Sequence, residues 1–222
     1  MDIKNAHLTR QMDLIPIEVL NESITVVGAG AIGSFLVLSL AKMGFSNITV
    51  FDDDKIEVEN LNCQFYRHTD IGKEKVVALA ELVHDFTGVR IEAIAKRYEG
   101  GIFSGIVVSA VDSMAARKLV WANHAGLAPM TKAIIDPRMG AEQAALYVVK
   151  PMSEADAKTY AASLYDDKDA VQERCTAKAT MYTATMLSGF VAKAIKDLVT
   201  NNKYPRTTLW SIAADEFVSW KG

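Results

Sequence analysis

The sequence is poor in cysteine and proline. Its two cysteines, Cys63 and Cys175, cannot build a disulfide framework or a four-cysteine zinc site, and such usage makes a cytoplasmic location the expectation. Five prolines in 222 residues, with no Pro/Ser/Gly-rich tract and no internal repeat, leave no linker to divide the chain. Positive charge is not in excess either. Lys+Arg 24 against Asp+Glu 27 gives a formal net charge of -3, which lacks the electrostatic footprint of a nucleic-acid binder. Residues Met1 to Arg10 include Asp2, Lys4, His7 and Arg10 and no apolar core, so no secretory signal is expected. One uncharged stretch, Ser23 to Ala41, approaches the length of a membrane span. Gly28, Gly30 and Gly33 interrupt it, with β-branched residues before them and Leu and Phe after. It reads as strand, turn and helix, and no membrane partner is expected.

What remains is enough for one core: hydrophobic types make up 50% and charged types 23%, the balance of an ordinary globular domain. Ile24-Thr25-Val26-Val27 is an unbroken β-rich run, the apolar residues of Ala31 to Met43 fall at helical spacing, and Gly44 stops that helix. Ile48-Thr49-Val50-Phe51 is a second strand. A βαβ unit of buried runs implies a parallel sheet. The alternation continues with a helix near Lys73 to Phe86, a strand near Arg90 to Ala95 and another from Gly105 to Val111. A helix near Met114 to His124 and a strand near Lys132 to Asp136 follow. Ala144 to Val149 reads as a strand, antiparallel in this setting, Glu154 to Leu164 and Lys178 to Val199 as helices, and Thr207 to Trp220 as an edge strand. The fold class is α/β: a doubly wound, mainly parallel Rossmann-like sheet with antiparallel strands in its C-terminal part.

Gly28-Ala29-Gly30-Ala31-Ile32-Gly33 is a G-x-G-x-x-G loop directly after a strand and opening a helix. The first glycine permits the tight turn, the second lets a phosphate approach the backbone, and the third lets helix and strand pack closely. Asp52, at the end of the second strand, can accept hydrogen bonds from ribose hydroxyls. The loop alone leaves open a nicotinamide dinucleotide for hydride transfer, ATP, or a catalytically silent nucleotide-binding module.

Beyond the second strand come Asp52-Asp53-Asp54, Asn60-Leu61-Asn62-Cys63-Gln64 and Gly72-Lys73-Glu74-Lys75. This succession resembles the ThiF/MoeB/E1-like adenylyltransferase superfamily, with its acidic cluster, N-L-x-R-Q segment and G-x-x-K. Ser109-Ala110-Val111-Asp112-Ser113 with Arg117 resembles its C-x-D-N-x-x-x-R element, Leu8-Thr9-Arg10-Gln11 its R-Y-x-R-Q start, and Cys175 with the following small-residue helix its late C-x-x-A-G region. The resemblance covers nearly the whole chain and implies a single adenylation domain over 1–222, with a nucleotide-binding half at about 20–125 and an acceptor and dimer half at about 126–222. It also implies the reaction: a carboxylate oxygen attacks the α-phosphorus of ATP, an acyl adenylate forms and pyrophosphate leaves. The acceptor would be a ubiquitin-like or sulfur-carrier protein, a peptide or a small acid.

By the same resemblance Gly28, Gly30, Gly33, Asp52, Asp54, Asn60 and Lys75 bind the nucleotide, Lys75 neutralises phosphate charge, and Asp112 holds Mg²⁺. Arg10 reaches the triphosphate of the partner in a homodimer. Cys175, beside Arg174 and Lys178, is the position at which some members carry the acyl group. Arg138, in Asp136-Pro137-Arg138-Met139-Gly140, is placed to meet the substrate carboxylate, or this segment is a turn with Gly140 at positive φ. The chain departs from the pattern at Cys63, where the family has arginine. A neutral thiol cannot replace a guanidinium on phosphate, and Arg67 is the expected substitute. The paired C-x-x-C zinc ligands of many relatives are missing, so this reads as a minimal member.

Overall fold

A computed structural model describes residues 8–126, 130–166 and 179–221. Eight strands form one sheet in the order β3-β2-β1-β4-β5-β6-β7-β8. In the middle of its parallel strands β3, β2, β1, β4 and β5 is β1 (Ile24–Val27), every residue of which is buried. It lies parallel to β2 (Ile48–Phe51) on one side and to β4 (Gly105–Ser109) on the other, while β3 (Glu92–Ile94) extends the β2 side. A run of β-branched residues with no polar alternation can be satisfied only in this way, with both faces of the strand covered.

Helices α1 (Ala31–Lys42), α2 (Lys75–Thr87) and α3 (Met114–His124) connect the parallel strands. Their ends follow from local chemistry. Gly88 closes α2 in the left-handed conformation with φ 73 and donates its N–H to His84 O at 2.8 Å. Ser113 caps α3, its Oγ accepting from Ala116 N at 3.2 Å.

β5 (Thr131–Gly140) pairs with β4 in parallel, and the sheet then turns antiparallel through β6 (Gln143–Val149), β7 (Pro205–Ser211) and the edge strand β8 (Glu216–Lys221). The tail read as one strand is thus a hairpin. Asp136 to Gly140 is also a correction: the segment is no turn but the second half of β5, paired with β6 from Asp136↔Tyr147 to Gly140↔Gln143. Pro137 is tolerated because β4 no longer accompanies β5 there, Val108↔Ile135 being their last pair. The reversal falls at Ala141, with φ 45. Helices α4 (Glu154–Ala161) and α5 (Met181–Val199) complete the layers, α5 packing on α1, where Ser188 Oγ donates to Ile32 O at 2.8 Å. Strand order reverses between β1 and β4, and in open α/β sheets ligands bind outside the carboxyl ends of the strands at such a switch point.

Candidate functional site

Three segments converge on that point: the glycine loop after β1, Asp52–Asp54 after β2, and Ala110–Asp112 after β4. The glycines differ in what they allow. A Cβ on Gly28, at φ 102, would lie 2.3 Å from Ala110 O, and one on Gly33 would lie 1.9 Å from Gly28 O. Both are required by the protein's own packing. Gly30 is not, since a Cβ there would meet nothing within 4 Å. It caps α1 with no side-chain hydrogen bond, no acidic residue occupies the first turn, and its own N–H meets no acceptor among the described residues. Open space, unpaired amides and the positive end of a helix dipole make an anion cradle.

Asp52 has a role within the protein's own structure. Its Oδ2 accepts from Ala29 N at 2.7 Å and its Oδ1 from Asp54 N at 2.9 Å, so it braces the loop. Burial pushes its carboxyl above the ordinary range, against those amides and the nearby Lys75 charge. Lys75, which its charged run would make a solvated side chain, is buried at the first residue of α2. Its Nζ lies 2.6 Å from Asp54 Oδ2, and its N–H donates to Asp54 O at 2.9 Å. Asp52, Asp53 and Asp54 bring carboxylate oxygens within 4.8 Å of one another. Asn60 Oδ1 accepts from Glu57 N at 3.0 Å, closing a short turn that leaves its amide NH₂ available.

Asp112 stands exposed after β4, and no hydrogen bond or ion pair engages its carboxylate among the described residues. The backbone around it is pinned: Ala110 N donates to Val27 O at 2.8 Å, and Arg117 Nη2 donates to Val111 O at 2.5 Å.

Two arginines are occupied in ways the sequence did not announce. Arg67, expected to supply the charge missing at Cys63, grips the fully buried Asp70 through Nε at 2.9 Å and Nη2 at 3.1 Å, with Glu81 and Asp85 of α2 at 3.4 and 3.5 Å. Cys63 itself is buried. That burial pushes its thiol up, opposed by the nearby Lys75 charge. Arg138 shares the buried Asp136 with Arg117: Arg117 Nε is 2.9 Å from Oδ1, and Arg138 Nε and Tyr160 Oη are 2.8 and 2.9 Å from Oδ2. Arg138 also donates to Ser163 O and Oγ and lies over the Tyr147 ring.

Arg10 is not brought to the site within its own chain. Leu8 packs on Gly44, and Gln11 Nε2 donates to Met43 O at 2.5 Å, at the far end of α1. A 12-residue helix separates that end from the glycine loop, roughly 18 Å at 1.5 Å per residue. Cys175 lies outside the described residues.

Sequence reasoning missed Tyr66, whose hydroxyl donates to Ala29 O at 2.6 Å. A single tyrosine in a loop carries no spacing signal.

Fold and site together define a doubly wound α/β domain with an open glycine loop at its switch point, a buried lysine, and an aspartate with no partner among the described residues. The chain belongs to the ThiF family, whose model matches residues 17–220. The NEDD8-activating enzyme E1 catalytic subunit of Caenorhabditis elegans is 40% identical over 110 residues, covering 46% of this chain and 25% of that enzyme. This chain therefore spans about a quarter of that relative's length. Among solved structures, PaaA matches with a TM-score of 0.77 at 16% identity, over 100% of this chain and 84% of its own. The E. coli MccB + ATP structure matches at 0.73 and 15% identity, over 98% and 71%.

Proposed function

We propose that this chain is an ATP-dependent adenylyltransferase that activates the carboxylate of a ubiquitin-like protein, a sulfur-carrier protein, a peptide or a small acid. The observation that carries the reading is the pairing of an open Gly30 cradle with the buried Lys75. Nothing in the protein's packing requires glycine at position 30, whereas an approaching phosphate does. Family membership and the E1-type name of the C. elegans relative support the same chemistry, and the fold is one on which MccB has been solved with ATP.

In this reading one carboxylate oxygen bonds to the α-phosphorus as the bond to the bridging oxygen breaks, and pyrophosphate departs with the bonding pair. The loop amides and Lys75 neutralise phosphate charge, Lys75 exchanging its Asp54 partner for phosphate oxygen. Asn60 contributes its free NH₂ on the nucleotide side. Asp112 offers a hard, unpaired oxygen donor of the type Mg²⁺ takes alongside phosphates, and the ion would lower the charge of the departing pyrophosphate. Arg67 organises the turn that leads into α2. Residues 1–222 act as one adenylation domain, with a nucleotide-binding half at about 20–125 and an acceptor and dimer half at about 126–222.

Carboxylate-dependent ATP–pyrophosphate exchange tests the function. Lys75→Ala and Asp112→Ala should each lower it by about 10²–10³-fold if they are principal electrostatic groups. Wild-type exchange in both variants would defeat the assignment. Thermal shift separates ATP from the dinucleotide: ATP with Mg²⁺ should raise the midpoint by mass action, and NAD(H) should leave it unchanged.

A further inference from the structure

Ala29 sits between two peptide planes that are each held by one long-range contact. Its N–H, in the plane shared with Gly28, is taken by Asp52 Oδ2 at 2.7 Å, and its C=O, in the plane shared with Gly30, accepts from Tyr66 Oη at 2.6 Å. In a planar trans peptide the C=O and the following N–H point in opposite directions. Fixing Ala29 O toward Tyr66 therefore aims Gly30 N–H away from it, and that N–H meets no acceptor among the described residues.

We infer that Tyr66 is a positioning residue for the phosphate-binding loop, acting through the Ala29 carbonyl to set the direction of the Gly30 amide. The inference rests on the ATP reading only for what the amide receives. Tyr66 is well placed to hold its post. The preceding residue is anchored to α1, Phe65 N donating to Ser34 Oγ at 3.0 Å, and Ser34 is fully buried. Burial and the carboxylates of Asp52, Asp54 and Asp70 push the phenol far above its ordinary range, so it stays a donor throughout the working pH range. Ala29 is fully buried as well, and a carbonyl left there without a donor has a cost that rotation of the peptide relieves. That rotation would turn Gly30 N–H out of the cradle. The same contact joins the loop to the segment bearing Asn60 and Cys63.

Tyr66→Phe removes the hydroxyl and keeps the ring, so the fold is retained. Two measurements on the full chain decide the matter. By calorimetry, ATP affinity should fall about tenfold, the consequence of one misdirected hydrogen bond, with the unfolding midpoint of the ligand-free protein little changed. By NMR of the ¹⁵N-labelled protein without ligand, the Gly30 amide should shift and broaden as the peptide samples a second orientation on the microsecond–millisecond scale. An unmoved Gly30 resonance with unaltered affinity would overturn the inference. So would an affinity loss accompanied by a matching fall in midpoint and an unmoved amide, which would make Tyr66 a packing residue. If the wild-type protein fails to bind ATP, the functional reading fails instead, and the ligand-free amide comparison still decides the clamp: broadening supports it and an unchanged signal ends it.

Discussion

At the scale of single residues, Gly30 and Gly33 occupy the same loop for opposite reasons. A methyl on Gly33 would sit 1.9 Å from Gly28 O, a backbone atom that cannot step aside, so Gly33→Ala should fail to fold or lose most of its stability. Gly30 has φ -78 and open surroundings. Gly30→Ala should therefore fold, its added methyl meeting no protein atom. Gly30→Val should also fold but lose ATP-induced stabilisation, because its branched side chain fills the cradle. A thermal-shift series with and without ATP checks all three; unchanged ATP binding in Gly30→Val would remove the site. Asp70 supports a second residue-level prediction. Burial raises its carboxyl, but hydrogen bonds from Arg67 and Lys73 and from the Arg67 backbone outweigh that and leave it below the ordinary value. A depressed folded value stabilises above the unfolded pKa of about 3.9 and is lost as pH falls through the folded one. Asp70→Asn should accordingly lower stability at pH 7 and flatten its decline on the acid side, read from urea midpoints between neutral pH and pH 3.

The secondary-structure elements carry the next set of constraints, and β5 shows best how they are hidden. Asp136 is fully buried between Arg117 from α3 and Arg138 from its own strand. Removing the shared carboxylate would strand two guanidinium groups, and breaking a buried pair typically costs about 3–5 kcal/mol. Asp136→Ala should thus lower the denaturation free energy by that order, whereas Arg138→Met, which leaves the Arg117–Asp136 pair intact, should cost less. If the two variants proved equally mild, the cluster would not organise this face of the sheet. None of it was legible beforehand. Pro137 and Gly140 make the segment look like a turn, and only the pairing with β6 reveals that the ladder continues past the end of β4. The first half of the sheet was legible because buried parallel strands are written as uninterrupted runs such as Ile24 to Val27, and helix ends such as Gly88 and Ser113 carry their own chemistry. The glycine loop, Lys75 and Asp112 were legible as a spaced pattern. The bracing roles of Asp52, Tyr66 and Arg67 were not, because each depends on a partner 23, 37 or 3 residues away that no periodicity selects.

For the molecule as a whole, α5 and its surroundings carry exposed apolar surface that bears on assembly. Between Ala179 and Ala192 there is no charge; one side of α5 is buried on α1, yet Met181, Tyr182 and Phe190 remain 55, 51 and 40% exposed. Nearby, Phe35, Phe65, Phe86 and Met181 line an open hollow of about 440 Å³. No helix of the described residues is long and apolar enough to cross a membrane. A two-fold homodimer is proposed to cover part of this exposed apolar surface on both copies and to create two equivalent nucleotide sites. The position of Arg10 fits that arrangement: it is exposed, at the opposite end of α1 from its own glycine loop, so any contact with phosphate would have to be made in a neighbour. Mixing two inactive proteins, Arg10→Ala and Lys75→Ala, under conditions of subunit exchange tests this directly. Each heterodimer contains one site that draws its lysine from the first protein and its arginine from the second. Part of the pyrophosphate-exchange activity should therefore return, reaching about one quarter of the wild-type level for random pairing of two-site dimers. Proven heterodimers with no recovered activity would exclude Arg10 from acting across the interface.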